Sequence, residues 1–268
     1  MKLTRLLACC LLSVAALVGC GKKSAPAAAN RLFILVPCGM EVPFNKLAEH
    51  FRERNPGLEV RVELEVAHAM SKRVAEGTLP DLIVSPGGVE IEPLVAQGLV
   101  DGDGLVHFGI FDLMLFVPRA NEAKVTDMDS LLQDSVKVLA VADPETTSIG
   151  RFTREALMKK GLWDRLQDKI VITSSASDTY VHVARAKADA SFAYRSCPLK
   201  TAPDKIQYSR VRVLEEVPKD LYGPAYATAA VLTNSPNAAK AKEFIELLLS
   251  AEGRAILAEY DLPPPPAD

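Results

Sequence analysis

The stretch "FILVPCGMEVPFNKLAEHF", residues 33–51, decides how the fold is read. Phe33 to Val36 form an apolar run of strand length. Phe44, Leu47, Ala48 and Phe51 then recur at helical spacing, so a buried strand feeds an amphipathic helix. Pro37-Cys38-Gly39-Met40 lies between them. A strand that delivers small residues to a helix N-terminus presents free backbone N–H groups to an anion. Here the loop carries a thiol and a thioether, where hydroxyls would be better donors.

The arrangement returns at residues 140–171, "AVADPETTSIGRFTREALMKKGLWDRLQDKIV". A buried strand ends at Asp143-Pro144, Thr146, Thr147 and Ser148 offer caps, and a helix follows that Gly161 is placed to end. Between and beyond these units, strands are expected at 58–64, 82–84, 113–117, 136–141, 169–173, 191–194 and 211–214. Further helices are expected near 89–97, 179–187 and 237–259. The alternation predicts mainly parallel sheets flanked by helices. The Pro-rich tail, 263–268, is expected to fray.

Lys2 and Arg5 precede an apolar run from Leu6 to Gly19, too short to span a membrane. It ends in Leu17-Val18-Gly19-Cys20, which resembles the lipobox of bacterial lipoproteins. That implies a signal peptide over 1–19, lipidation of Cys20, and a tether over 20–30 that leaves the protein anchored on the periplasmic side of a bacterial membrane. The formal net charge of −3 becomes about −5 without Lys2 and Arg5, and no basic stripe runs along the chain, so nucleic acid is not an expected partner. Of five cysteines, Cys38 and Cys197 fall in the folded part, where an oxidising compartment permits a disulfide if their Cα atoms lie within about 7 Å.

Five stretches, in this order, are similar to the molybdate-binding proteins of ABC importers. They are "PDLIVSPGG", "ADPETTSIGRFTREAL", "GLWDRLQDKIV", "ADASFAY" and "YATAAVLTNSPNAAKAKEFIELLLSAEGRAILAEYDL". The resemblance spans about residues 31–262. It implies an α/β, two-lobed periplasmic-binding-protein fold of type II, with two crossovers near "HFGIFDLMLFV" and "LYGPAYATAAV". Lobe one would comprise 31–111 plus 224–262, and lobe two 112–223. The implied protein is a monomeric receptor without a cofactor, not an enzyme. It would hold a molybdate- or tungstate-like oxyanion between its lobes and deliver it to a permease.

Carried onto this sequence, the resemblance puts the first-lobe serine pair at Cys38-Gly39 and a second-loop serine at Ala67 or His68. It puts the small residue of the second-lobe helix start at Ser148 or Ile149, a backbone contact at Ala176, and the tyrosine at Tyr194. Both first-lobe hydroxyl positions therefore depart from the family pattern. Cys38 and His68, with Met40, Met70 and Cys197 near them, suit a soft or borderline metal ion instead of an oxyanion. Taken singly, a methionine is more often core and a histidine more often a structural hydrogen-bonding group. A Cys38/His68 nucleophile pair is the remaining alternative; the sequence carries no hydrolase motif and singles out no third, orienting residue.

Overall fold

The computed structural model describes residues 30–37, 39–195 and 210–266. Cys20, Cys38 and Cys197 lie outside them. The first sheet comprises β1 (Arg31–Pro37), β2 (Glu59–Glu65), β3 (Leu82–Ser85), β4 (Val106–Ile110) and β10 (Tyr226–Val231), in the order β2-β1-β3-β10-β4. The second comprises β5 (Leu113–Pro118), β6 (Leu139–Ala142), β7 (Ile170–Thr173), β8 (Ala190–Tyr194) and β9 (Val211–Glu216), in the order β7-β6-β8-β5-β9. The chain passes between the sheets at Phe111-Asp112 and returns between β9 and β10. The Phe111 N–H, donating to Ala225 O at 2.8 Å, ties the two crossings together.

The parallel expectation holds for half of each sheet. β2-β1-β3 and β7-β6-β8 pair parallel, whereas β10 and β5 pair antiparallel with both of their neighbours. A strand that enters from the other lobe arrives at the opposite end of the sheet, so it runs against the strands already there.

Helices α1 (Glu41–Arg54), α2 (Ala67–Ala75) and α3 (Glu92–Ala96) follow β1, β2 and β3. Helices α4 (Ser148–Lys159) and α5 (Ala176–Ala184) follow β6 and β7, and α6 (Ala238–Leu249) and α7 (Ala251–Ala258) follow β10. Helix α1 buries Phe44, Leu47, Ala48 and Phe51, as its spacing requires. Phe244 of α6 meets Phe51 edge-on at 5.2 Å and lies 6.0 Å from Phe44, which joins the two ends of the chain in one core. Gly161 has φ +70° and ends α4 as expected.

Several elements differ from the sequence expectation. The helix near 89–97 contracts to five residues, and the one near 179–187 starts at Ala176, where Ser175 caps it. The expected single helix over 237–259 breaks at Ser250, whose hydroxyl accepts from Gly253 N–H and starts α7. A Cβ on Gly253 would lie 1.9 Å from Leu247 O, so the break requires glycine there. Residues 67–75 are helical, although no N-cap side chain starts them. The tail does not fray at its start, because Pro263 O accepts from Ile110 N–H at 3.0 Å.

One buried carboxylate binds three segments of the first lobe. Asp81, 2% exposed, accepts from Phe33 N–H at 2.8 Å, Ser235 Oγ at 2.7 Å and Asn237 Nδ2 at 3.2 Å. Asp81→Ala strands the Phe33 N–H and should cost about 3 kcal/mol of stability. Urea denaturation would measure it, and a change below about 0.5 kcal/mol would contradict this account.

Candidate ligand-binding site

The parallel strands of both sheets point their carboxyl ends at one cavity between the lobes, where ligands of open α/β sheets bind. Its volume is about 40 Å³. Lobe one contributes Pro37 from β1, Val66, Ala67 and His68 from the start of α2, and Pro86 and Glu90 from the turn after β3. Lobe two contributes Thr147 and Ile149 from the start of α4, Ser175, Ala176 and Ser177 from the start of α5, and Tyr194 from the end of β8.

The N-termini of α2, α4 and α5 thus converge on a space of roughly three water molecules. Each brings the positive end of a helix dipole, with first-turn amides that are not taken up by the i→i−4 ladder of the helix. Two of the starts are pinned by side-chain caps. Thr147 Oγ accepts from Gly150 N–H at 3.1 Å, and Ser175 Oγ accepts from Asp178 N–H at 3.1 Å. A Cβ on Gly150 would lie 2.2 Å from Ala142 O, so glycine lets α4 start directly against the end of β6.

The turn 86–90 closes the space. Tyr194 Oη donates to Pro86 O at 3.2 Å, and Tyr194 stacks on Phe111 at 4.4 Å. Val89 N–H donates to Ser148 Oγ at 3.1 Å. Ser148 N–H donates to Glu90 Oε1 at 2.8 Å, and Ser148 Oγ–H donates to Glu90 Oε2. Outside this, Arg151 pairs with Glu92 across the lobes at 3.0 Å. A second inter-lobe crevice of about 310 Å³ lies on the far side of the contact, lined by Ser148, Arg151, His107 and Tyr226 among others. Burial raises the Glu90 pKa above the ordinary carboxylate range, and the Ser148 hydrogen bonds partly offset this.

Of the residues singled out in the sequence, Ala67, His68, Ile149, Ala176 and Tyr194 line this one cavity. Ser148 lines the second crevice instead, with both donors turned to Glu90. Gly39, at φ +90°, shapes the loop before α1. Met40 and Met70 are 2% and 1% exposed and pack into two separate apolar cores, so neither reaches the cavity. The soft-ion reading keeps only His68 among the described residues, which contain no group of three or more His, Cys, Asp or Glu able to hold a metal. Sequence reasoning missed Glu90. Its signal was slight: one acid between Val89 and Ile91 in a short turn.

Two lobes joined by two crossings, with a small cavity between them, define the class of bilobal ligand-binding proteins. Residues 32–261 match the family described as bacterial extracellular solute-binding protein, and the chain belongs to that family. It is 24% identical over 192 residues to YvgL of Bacillus subtilis (strain 168), described by name as an ABC transporter substrate-binding lipoprotein; the match covers 72% of this chain and 70% of the relative. It is 24% identical over 240 residues to the molybdate-binding protein ModA of Rhodobacter capsulatus, covering 88% and 89%. Among solved structures, the periplasmic molybdate-binding protein of Azotobacter vinelandii superposes with a TM-score of 0.70 at 18% identity, covering 87% of this chain and 100% of that one. No described helix is long and apolar enough to cross a membrane.

The close approach of the lobes requires glycine at 87, where a Cβ would lie 2.2 Å from Ser148 Oγ. Gly87→Ala should therefore oppose closure and weaken ligand affinity roughly tenfold, near the lower end of overpacking costs. Calorimetric titration of the variant measures this, and unchanged affinity would show that the closed contact contributes nothing to binding.

Proposed function

We propose that the protein is the receptor of an ABC importer that captures a tetrahedral oxyanion of the molybdate or tungstate type in the inter-lobe cavity. Cys20 carries the lipid anchor in this reading, and an ABC permease on the same membrane takes the ligand. The observation that carries the proposal is the convergence of three helix N-termini, from both lobes, on about 40 Å³. That volume suits a small inorganic ion and is far below the several hundred Å³ of a typical organic-ligand pocket. The helix starts favour negative charge. The names of the relatives in Rhodobacter capsulatus and Azotobacter vinelandii point to the same anion, and that of YvgL to a lipoprotein.

Binding across two lobes also explains how such a receptor reports its load. An ion held by α2 on one side and by α4 and α5 on the other stabilises the closed form, which is the form a permease can distinguish.

A thermal-shift series with molybdate, tungstate and sulfate tests the reading. Saturation at a hundred times Kd should add about 2.7 kcal/mol of stability. If none of the three raises the unfolding temperature, the oxyanion assignment is lost.

A further inference from the structure

Glu90 is an unexpected wall for an anion site. It is 4% exposed, lines the cavity, and holds the Ser148 N–H at 2.8 Å, the first amide of α4. Its own carbonyl accepts from Ser71 Oγ of α2, so the residue is fixed at both ends. In the closed molecule a carboxylate thus occupies part of the positive field that the helix starts supply. A fully ionised oxyanion entering beside it meets a like charge at short range in a water-poor space, which costs several-fold more than the same approach in water.

We propose that Glu90 is a ligand-binding residue of this cleft that takes up one proton when a fully ionised tetrahedral oxyanion enters, its carboxyl group then donating an O–H hydrogen bond to the anion. The inference rests on the oxyanion reading above and deepens it. An oxyanion that already carries a proton, of the hydrogenphosphate type, donates to the Glu90 carboxylate instead and needs no uptake. The residue therefore favours proton-bearing oxyanions as the medium becomes more alkaline.

The groups facing Glu90 leave it as the proton site. From α4 come Ser148, which has no charge, and Arg151, whose guanidinium is paired with Glu92 of α3 and also feels Glu155. From α2 comes His68, across the cavity, and from β8 Tyr194, whose hydroxyl already donates to Pro86 O. Burial raises the Glu90 pKa in the empty protein, and a neighbouring dianion raises it further. The sign follows. Dianion affinity is greatest and flat below the pKa of the empty protein, and falls by up to about tenfold per pH unit between the empty and bound values.

Calorimetric titration of the protein with molybdate, repeated in buffers of different ionisation enthalpy from about pH 6 to about pH 9, counts the protons taken up; this range brackets a raised carboxylate. About one proton per molybdate is expected in the interval over which affinity falls with rising pH, between the pKa values of the empty and the bound protein. Glu90→Gln should reduce the count to near zero and flatten the pH dependence. The wild-type count does not depend on the variant folding. Binding of molybdate without proton uptake at any pH in this range overturns the proposal and leaves the oxyanion reading standing. Uptake that persists in Glu90→Gln but vanishes in His68→Gln assigns the proton to His68 and also overturns it. If neither wild type nor variant binds molybdate, tungstate, sulfate or phosphate, the oxyanion reading fails and the proposal with it.

Discussion

The approach of one five-residue turn to the first residue of α4 governs the cleft. Residues 86–90 supply the Pro86 carbonyl to Tyr194, the Val89 N–H to Ser148, and the Glu90 carboxylate to Ser148. The turn is held from its own side as well, by Ser85 Oγ donating to Gly87 O at 2.5 Å and by Ser71 Oγ on the Glu90 carbonyl. A rigid turn in lobe one therefore meets a rigid helix start in lobe two. Gly87 permits the meeting, since its missing Cβ is the space that Ser148 occupies. Cavity volume, wall chemistry and the separation of the two inter-lobe crevices all follow from that contact.

Electrostatics then ranks the contributors. Each helix start presents a partial positive charge equivalent to about half an elementary charge, distributed over its free amides. Three starts together approach, but do not reach, the charge of a dianion, and Glu90 removes part of what they offer. Arg151 cannot restore the balance, because its guanidinium is paired with Glu92 and lies toward the second crevice. What remains is a site suited to one net negative charge, or to two with a proton added.

Much of the architecture was legible in the sequence, for definite reasons. β1–α1 and β6–α4 were readable because a continuous apolar run switches to helical spacing within a few residues, and Gly161 marks a stop that only a left-handed residue makes easy. The antiparallel half of each sheet was not readable, because local periodicity does not encode which strand returns beside which. Helix α2 escaped because it is short, only Met70 and Val74 mark its buried face at helical spacing, and Val66 gives no cap. Met40 and Met70 misled for the opposite reason. Beside Cys38 and His68 they suggested soft ligands, but an unbranched thioether fills gaps in a core equally well, and the structure uses them so. The cavity residues were placed by resemblance more than by pattern: Ala67, Ile149 and Ala176 offer backbone amides, and no side-chain chemistry announces a backbone amide.

The two lobes also divide the work unequally, and this returns to the loop at Cys38. Among the described residues lobe one lines the cavity without a single hydroxyl, through Pro37, Val66, Ala67, His68, Pro86 and Glu90. Lobe two brings Thr147, Ser175, Ser177 and Tyr194. Yet three of those hydroxyls have structural duties: Thr147 Oγ donates to Asp143 O at 2.7 Å while capping Gly150, Ser175 caps Asp178, and Tyr194 donates to Pro86. Side chains on both sides are thus spent on fixing the helix starts, and in the proposed reading an anion would be read chiefly by backbone N–H groups. Loss of serine hydroxyls from the first lobe is tolerable on those terms, because the donors that matter most do not depend on side-chain identity. A backbone shell has no means of adjusting to ligand charge, however, and Glu90 is the cavity carboxyl group that can.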